Sequence, residues 1–197
     1  MTPNRWAGVR MLQTVHRLNK RCFSVLAETV RTGGAGIDLH AMYGLSELWA
    51  QADARVCERA GRCPVLLLDL NFQRADWWKR VGHGDSRSSS ISGMPALFTV
   101  EQAAPLLREI LTEAWSIGRS MPHAAGLIFG MEPRVSSAIA DLSVPELDQA
   151  AVAYTRFLRP RWEESRVFWQ GLLLAAIGAD DEALAHAHLH CLQLLGS

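Results

Sequence analysis

Apolar residues recur at three- and four-residue steps along most of the chain, and that spacing predicts helices. Between residues 5 and 31, Val9, Leu12, Val15, Cys22, Phe23, Leu26 and Val30 share one face, with Arg10, Arg17, Lys20, Arg21 and Glu28 largely opposite. The run T-G-G-A-G ends this helix, because glycine accepts the left-handed turn of a helix C-terminus. Asp38 then suits the N-cap of a second helix over about 39–45. A third helix is expected from Ser46 or Glu47 to Ala60, stopped by Gly61. The segment P-V-L-L-L-D-L-N-F is short, apolar and bounded by turn residues, which predicts a strand. Residues 75–81 predict a further helical turn.

The second half follows the same plan. Thr99 with Gln102 forms a capping box, and the helix it opens runs to about Ser120, burying Leu106, Leu107, Ile110, Leu111, Ala114 and Ile117. Met121-Pro122 breaks it. Gly130 makes a corner, Pro133 starts a helix that runs to about Asp141, and Ser143, Pro145 and Glu146 start another that runs to Tyr154. Residues 156–163 replace the earlier strand-like segment. A terminal helical region follows from Glu164, broken near Gly178 and resumed from Asp180 to Leu195. Between the halves, residues 82–98 are rich in Gly and Ser and carry few apolar side chains, the composition of a flexible linker.

The two halves align without a gap at a spacing of 94, from Gly36 to Gly130. Identity is limited to Gly36/Gly130, Leu48/Leu142 and Arg62/Arg156. The match lies in residue type: Ile37/Met131, Asp38/Glu132, Leu45/Ile139, Glu47/Asp141, Asp69/Glu163. The expected fold is mainly α, built as two tandem helical repeats. Each has a long helix, two short helices and a short extended segment. The first repeat spans 1–81, the linker 82–98, and the second repeat with a C-terminal helical extension 99–197.

Of 197 residues, 49 % are hydrophobic, which supplies a packed core and excludes global disorder. The formal net charge of zero gives no long-range attraction to nucleic acid or anionic membrane, so such binding needs a local patch or a basic partner. Early basic residues interrupt the N-terminal apolar run, so a signal peptide is not expected. The longest apolar stretch, 167–179, is too short to span a bilayer. The cytoplasm is the expected location, with no membrane partner.

Four cysteines, Cys22, Cys57, Cys63 and Cys191, form no C-x-x-C pair and match no zinc spacing; reduced, mostly buried thiols are expected. His186, His188, His190 and Cys191 cluster near the end, with His186 and His190 one helical turn apart. A metal needs more ligands than this, and an ordinary helix face is the alternative. The run G-H-G-D-S at 82–86 carries His83 and Ser86, but a catalytic serine needs a preceding strand, an oxyanion hole and a positioned base. No catalytic residue, cofactor site or metal site is therefore assigned, and an enzyme is not expected.

Arg156, Arg159, Arg161 and Arg166 surround Phe157, Trp162 and Phe168, a mixture suited to phosphate contact and base stacking. Pairing of these arginines with Glu163 and Glu164 is the alternative. Seven tryptophans are many for this length, and tryptophan serves both cores and interface hot spots. Trp77, Trp78, Trp162 and Trp169 are the candidates for a partner interface. Adjacent Trp77 and Trp78 on one helix should not both point inward, so one of them is expected to meet a partner.

Residues 125–163 resemble FlhD, the smaller subunit type of the FlhD–FlhC flagellar master regulator. Gly130, Ile139, Leu142, Ser143, Pro145, Leu147, Arg161, Trp162 and Glu163 occupy the family's glycine corner, spaced leucines, Ser/Thr-x-Pro helix start, and aromatic-and-basic segment ending in an acid. Residues 36–69 fit the same frame more loosely, through Gly36, Ile37, Leu45, Leu48 and Asp69, and lack the Ser/Thr-x-Pro start. The resemblance implies a transcriptional activator subunit that acts with a zinc-bearing FlhC-like partner on promoter DNA. It implies two FlhD-like units fused into an intramolecular pseudo-dimer, open to further oligomerisation, with no cofactor in this chain. The family's intersubunit disulfide is not implied, because the matching positions are Pro64 and Leu158. A helical adaptor of a secretion or conjugation apparatus, without DNA binding, is the second reading.

Overall fold

The expected first helix is present as α1 (Asn4–Arg31), and its buried stripe begins at Val15. Val9 and Leu12, placed on the apolar face by spacing, are instead exposed. The structure is a computed structural model that describes residues 4–32, 44–82 and 96–195, with side chains over 8–32, 44–80 and 96–195. The Gly36 corner, the Asp38 cap and most of the helix expected at 39–45 lie outside the described residues, as do 83–95 of the linker. The chain is mainly helical, with ten α-helices among the described residues. None of these helices is long and apolar enough to cross a membrane.

Packing divides the chain into two compact units, Met1–Leu68 with Pro160–Ser197, and Asp69–Arg159. These are not the consecutive segments 1–81 and 99–197 expected from the sequence. The cause is that the chain leaves the first unit at Leu68 and returns to it at Pro160.

The first unit holds α1, α2 (Ser46–Ala50), α3 (Ala54–Ala60), α9 (Arg166–Ile177) and α10 (Asp181–Leu195). A single helix over 46–60 does not form. The Asp53 carboxylate accepts the N–H groups of Arg55 and Val56 at 2.9 and 2.8 Å and holds its own backbone extended, which starts α3 afresh. Gly61 ends α3 hard against α1: a Cβ there would sit 2.9 Å from the Lys20 backbone nitrogen. Fully buried Phe23, Trp49 and Trp169 meet with ring centroids 5.4–6.0 Å apart, joining α1, α2 and α9. Each such side chain adds about 2–3 kcal/mol of apolar burial.

The run expected as a strand is mostly irregular. Two residues, Leu68–Asp69 (β1), are extended, and they pair with Arg159–Pro160 (β2) in a two-stranded sheet. Residues 63–67 hydrogen-bond instead to one side chain of α1. Asn19, fully buried, donates to the carbonyls of Cys63 (3.1 Å) and Val65 (2.8 Å) and accepts from the Leu67 N–H (2.8 Å). Buried backbone groups need partners, and here a side-chain amide does the work of a neighbouring strand.

The second unit holds α4 (Ala75–Gly82), α5 (Val100–Ser120), α6 (Pro122–Phe129), α7 (Pro133–Ala140), α8 (Val144–Ala153) and a 3-10 turn at Thr155–Phe157. The Thr99/Gln102 capping box forms as expected, and the expected helix start at Ser143 proves to be a second one, with Glu146. The α5 helix ends at Ser120 and breaks at Met121 as expected; Pro122 then opens α6, which the sequence did not suggest, in the first turn where its missing N–H costs nothing. Gly130 then takes the left-handed conformation (φ 55°) that closes α6. The α5 helix packs on α6, α7 and α8, and α4 packs on α7.

The 94-residue register does not order these elements. The N-caps Asp53 and Ser143 are 90 residues apart (143 minus 53). The strands begin at Leu68 and Arg159, and the following helices at Ala75 and Arg166, 91 apart in both cases (159 minus 68; 166 minus 75). Left-handed Asn71 (φ 52°) and Trp162 (φ 50°) are again 91 apart (162 minus 71). All eight buried positions of α5 fall 88 residues after buried positions of α1, with Leu107 answering Asn19 (107 minus 19). Of the two helices that follow a strand, α4 lies in the second unit and α9 in the first.

Replacing Asn19 with Leu keeps volume and removes all three hydrogen bonds, leaving two carbonyls and one N–H buried and unpaired. Urea denaturation should show a loss of about 3–5 kcal/mol. A loss under about 1 kcal/mol would mean that packing alone holds the segment.

Candidate functional site

The four candidate arginines divide between the units. Arg156 and Arg159 belong to the second, Arg161 and Arg166 to the first. Arg156, in the 3-10 turn, is exposed, with its guanidinium 4.7 Å from the Phe157 ring centre. Arg159 is half-buried at the start of β2. Arg166 opens α9, is exposed, and donates to the Gly44 carbonyl at 3.4 Å.

Arg161 differs from the other three. It is 7 % exposed; its backbone N–H donates to Leu67 O (2.9 Å) and its Nε to Leu68 O (3.2 Å). As placed, this guanidinium ties the chain where it re-enters the first unit and is not presented to a phosphate. Sequence spacing could not reveal this, because alternation of basic and aromatic residues does not say which side chains turn inward.

The tryptophans require a larger correction. Trp77 and Trp78 are both buried, at 2 % and 1 % exposure. One helix can bury adjacent side chains when it is covered on two sides. Trp78 stacks on Phe72, which in turn meets Phe129 edge-on. Trp77 turns to Tyr154 (4.8 Å) and Phe157 (5.5 Å), and the two indoles meet edge to face at 5.0 Å. Trp169 is fully buried, and its indole N–H is shared by the carbonyls of Arg161 (3.2 Å) and Trp162 (3.1 Å). Trp162 is half-buried in a left-handed turn, with its ring edge-on to Phe168 at 4.9 Å. Of the four candidates it alone keeps a partly accessible ring.

The histidines of α10 do not converge. His186 is exposed, His190 meets Phe168 edge-on at 5.9 Å, and His188 is half-buried. Among the described residues, no group of three or more His, Cys, Asp or Glu side chains is arranged to hold a metal ion. His83 and Ser86 lie outside the described residues. The depression beside the C-terminal ends of α5 and α7 is lined by Gly118, Arg119, Ser137, Ala140 and Asp141. Arg119 lies over the Trp115 ring at 4.9 Å, and the Trp115 indole donates to Leu142 O at 2.9 Å. In the depression the Ser137 hydroxyl donates to the Pro133 carbonyl at 3.2 Å.

Burial, with a smaller contribution from His16, lowers the His188 pKa below the ordinary imidazole value. His16 is lowered too, first by burial, then by Arg62, against the opposing pull of Glu58. A lowered folded pKa means that protonation opposes folding. The stabilising contribution is present above the unfolded value of about 6.5 and is lost as pH falls through it towards the folded values. The midpoint of thermal unfolding should therefore drop on acidification below about pH 6.5. His188→Gln should flatten that drop; superimposable pH profiles for variant and wild type would remove His188 from the explanation.

Arg161→Met should cost about 2–3 kcal/mol in urea unfolding, since a charge-assisted bond to a buried carbonyl is lost. Arg156→Ala should stay within about 0.5 kcal/mol of wild type. Equal effects would contradict the division into one structural and one surface arginine.

No protein-family model, curated protein or solved structure matches the chain.

Proposed function

We propose that the chain is a transcriptional activator subunit built from two FlhD-like units, acting with an FlhC-like, zinc-bearing partner on promoter DNA. The observation that carries this reading is the recurrence of N-cap, strand, left-handed turn and helix at spacings of 90 or 91, around the FlhD-like run at 125–163. A chain of that kind supplies covalently the pairing that a homodimer supplies by association. The membership of α4 and α9 in each other's unit suits a pair of intertwined copies.

With zero net charge and Arg161 buried, the chain brings few phosphate contacts of its own. DNA recognition is assigned mainly to the partner. Arg156 and Arg166 add phosphate contacts, and Trp162 is the tryptophan left for the partner interface. The adaptor alternative draws on the zero net charge, which gives the chain no long-range attraction to DNA.

The test is electrophoretic mobility of promoter fragments with the co-purified complex over a salt series. Affinity should fall steeply with salt, and Arg156→Ala or Arg166→Ala should each reduce the log–log slope by about 0.9. If adding this chain to the partner changes neither affinity nor slope on any promoter fragment, the regulator reading fails and the adaptor reading replaces it.

A further inference from the structure

Two of the four buried thiols are paired. The Sγ atoms of Cys63 and Cys191 lie 3.1 Å apart, and both residues are fully buried. A disulfide needs about 2.05 Å, so closure requires a movement of about 1 Å. The backbone at Cys63 is held, because Asn19 takes its carbonyl. Cys191 sits on α10, where its Sγ also contacts the His188 carbonyl at 2.9 Å. That helix packs chiefly on α9; Leu184 and Cys191 are its buried residues, and Asp181, paired with Arg59 at 3.0 Å, is 86 % exposed. A helix held chiefly by one neighbour can open locally without global unfolding.

We propose that Cys63 and Cys191 are a reversible redox couple, in which a low-molecular-weight disulfide converts the thiol pair into an intramolecular disulfide that fastens α10 to the segment after α3. Local opening of α10 exposes Cys191. Its thiolate attacks one sulfur of the small disulfide, forming a mixed disulfide and displacing one small thiolate, which takes up the proton Cys191 released. Reclosure returns Cys191 to Cys63, whose thiolate breaks the mixed disulfide and releases the second small thiol. Two protein thiols are oxidised by two electrons, and one small disulfide is reduced to two thiols. Hydrogen bonding to Cys191, and burial, raise the Cys63 thiol well above its ordinary range. The closing step is therefore slow at neutral pH and quickens as pH rises. In a reducing compartment the pair remains a dithiol, and it closes when the disulfide pool rises. This couple stands independently of the regulator reading.

Cys22 and Cys57 are the internal comparison, since both are buried and burial raises both thiols. The full-length chain is incubated with oxidised glutathione at pH 7 and pH 9, quenched, alkylated before denaturation and again after it, and mapped by mass spectrometry. Peptides carrying Cys63 and Cys191 should appear joined and two hydrogens lighter, faster at pH 9, with Cys22 and Cys57 alkylated. The joined form should unfold roughly 5–10 °C higher, because the link closes a long loop, and dithiothreitol should reverse both changes. Cys191→Ser should abolish the link and the shift; the wild-type map decides the matter if that variant does not fold. Alkylatable Cys63 and Cys191 after prolonged exposure to oxidised glutathione, or a link that uses Cys22 or Cys57, overturns the proposal.

Discussion

Asn19 is the residue on which the first unit turns. It sits inside a helix and is fully buried, where an unpaired amide would cost several kcal/mol. It is paired at both ends of its side chain, to the carbonyls of Cys63 and Val65 and to the N–H of Leu67. The apolar run 65–68 can thus be fully buried with little strand pairing. The same clamp fixes the point at which the chain leaves the unit and the backbone of the thiol facing Cys191. Gly61 makes the arrangement possible, since a side chain there would strike α1 at Lys20.

The second constraint is the double passage of the chain. Leaving at Leu68 and returning at Pro160 places α4 and α9 in units assembled from the other stretch of sequence. Trp77, Trp78 and Trp169 are buried for that reason: each rides on a helix inserted among helices distant in sequence. Arg161 follows the same logic, serving the re-entry point through Leu68 O rather than a surface. Residues that looked functional by type are consumed by packing. Of those candidates, what remains accessible is Arg156, Arg166 and parts of Arg159 and Trp162.

Two differences between the stretches carry chemical meaning. Asn19 in α1 is answered by Leu107 in α5, so the amide clamp belongs to the first unit's long helix. The α10 helix follows α9 and brings Cys191 to Cys63. The first unit therefore holds both the buried amide and the thiol pair.

By itself the sequence determined the local terms. The helical stripes of α1 and α5, the Thr99/Gln102 capping box, the helix start at Ser143, Pro145 and Glu146, the Gly130 corner and the helix start at Pro133 were all legible, because each depends on residues within one or two turns. Most of the element order was legible as well, though α6 and the separate starts of α2 and α3 were not. Tertiary structure alone decided the rest. The break at Asp53 is the exception: it too is local, its carboxylate capping Arg55 and Val56, and it was overlooked within one apolar stripe. The apolar run after Gly61 looked like a strand until Asn19, 44 residues or more away, took its hydrogen bonds. The inward turn of Trp77 and Arg161 and the approach of Cys63 to Cys191 depend on contacts across 77 to 128 positions. Side-chain type states what a residue can bond to, and only the fold decides which partner arrives.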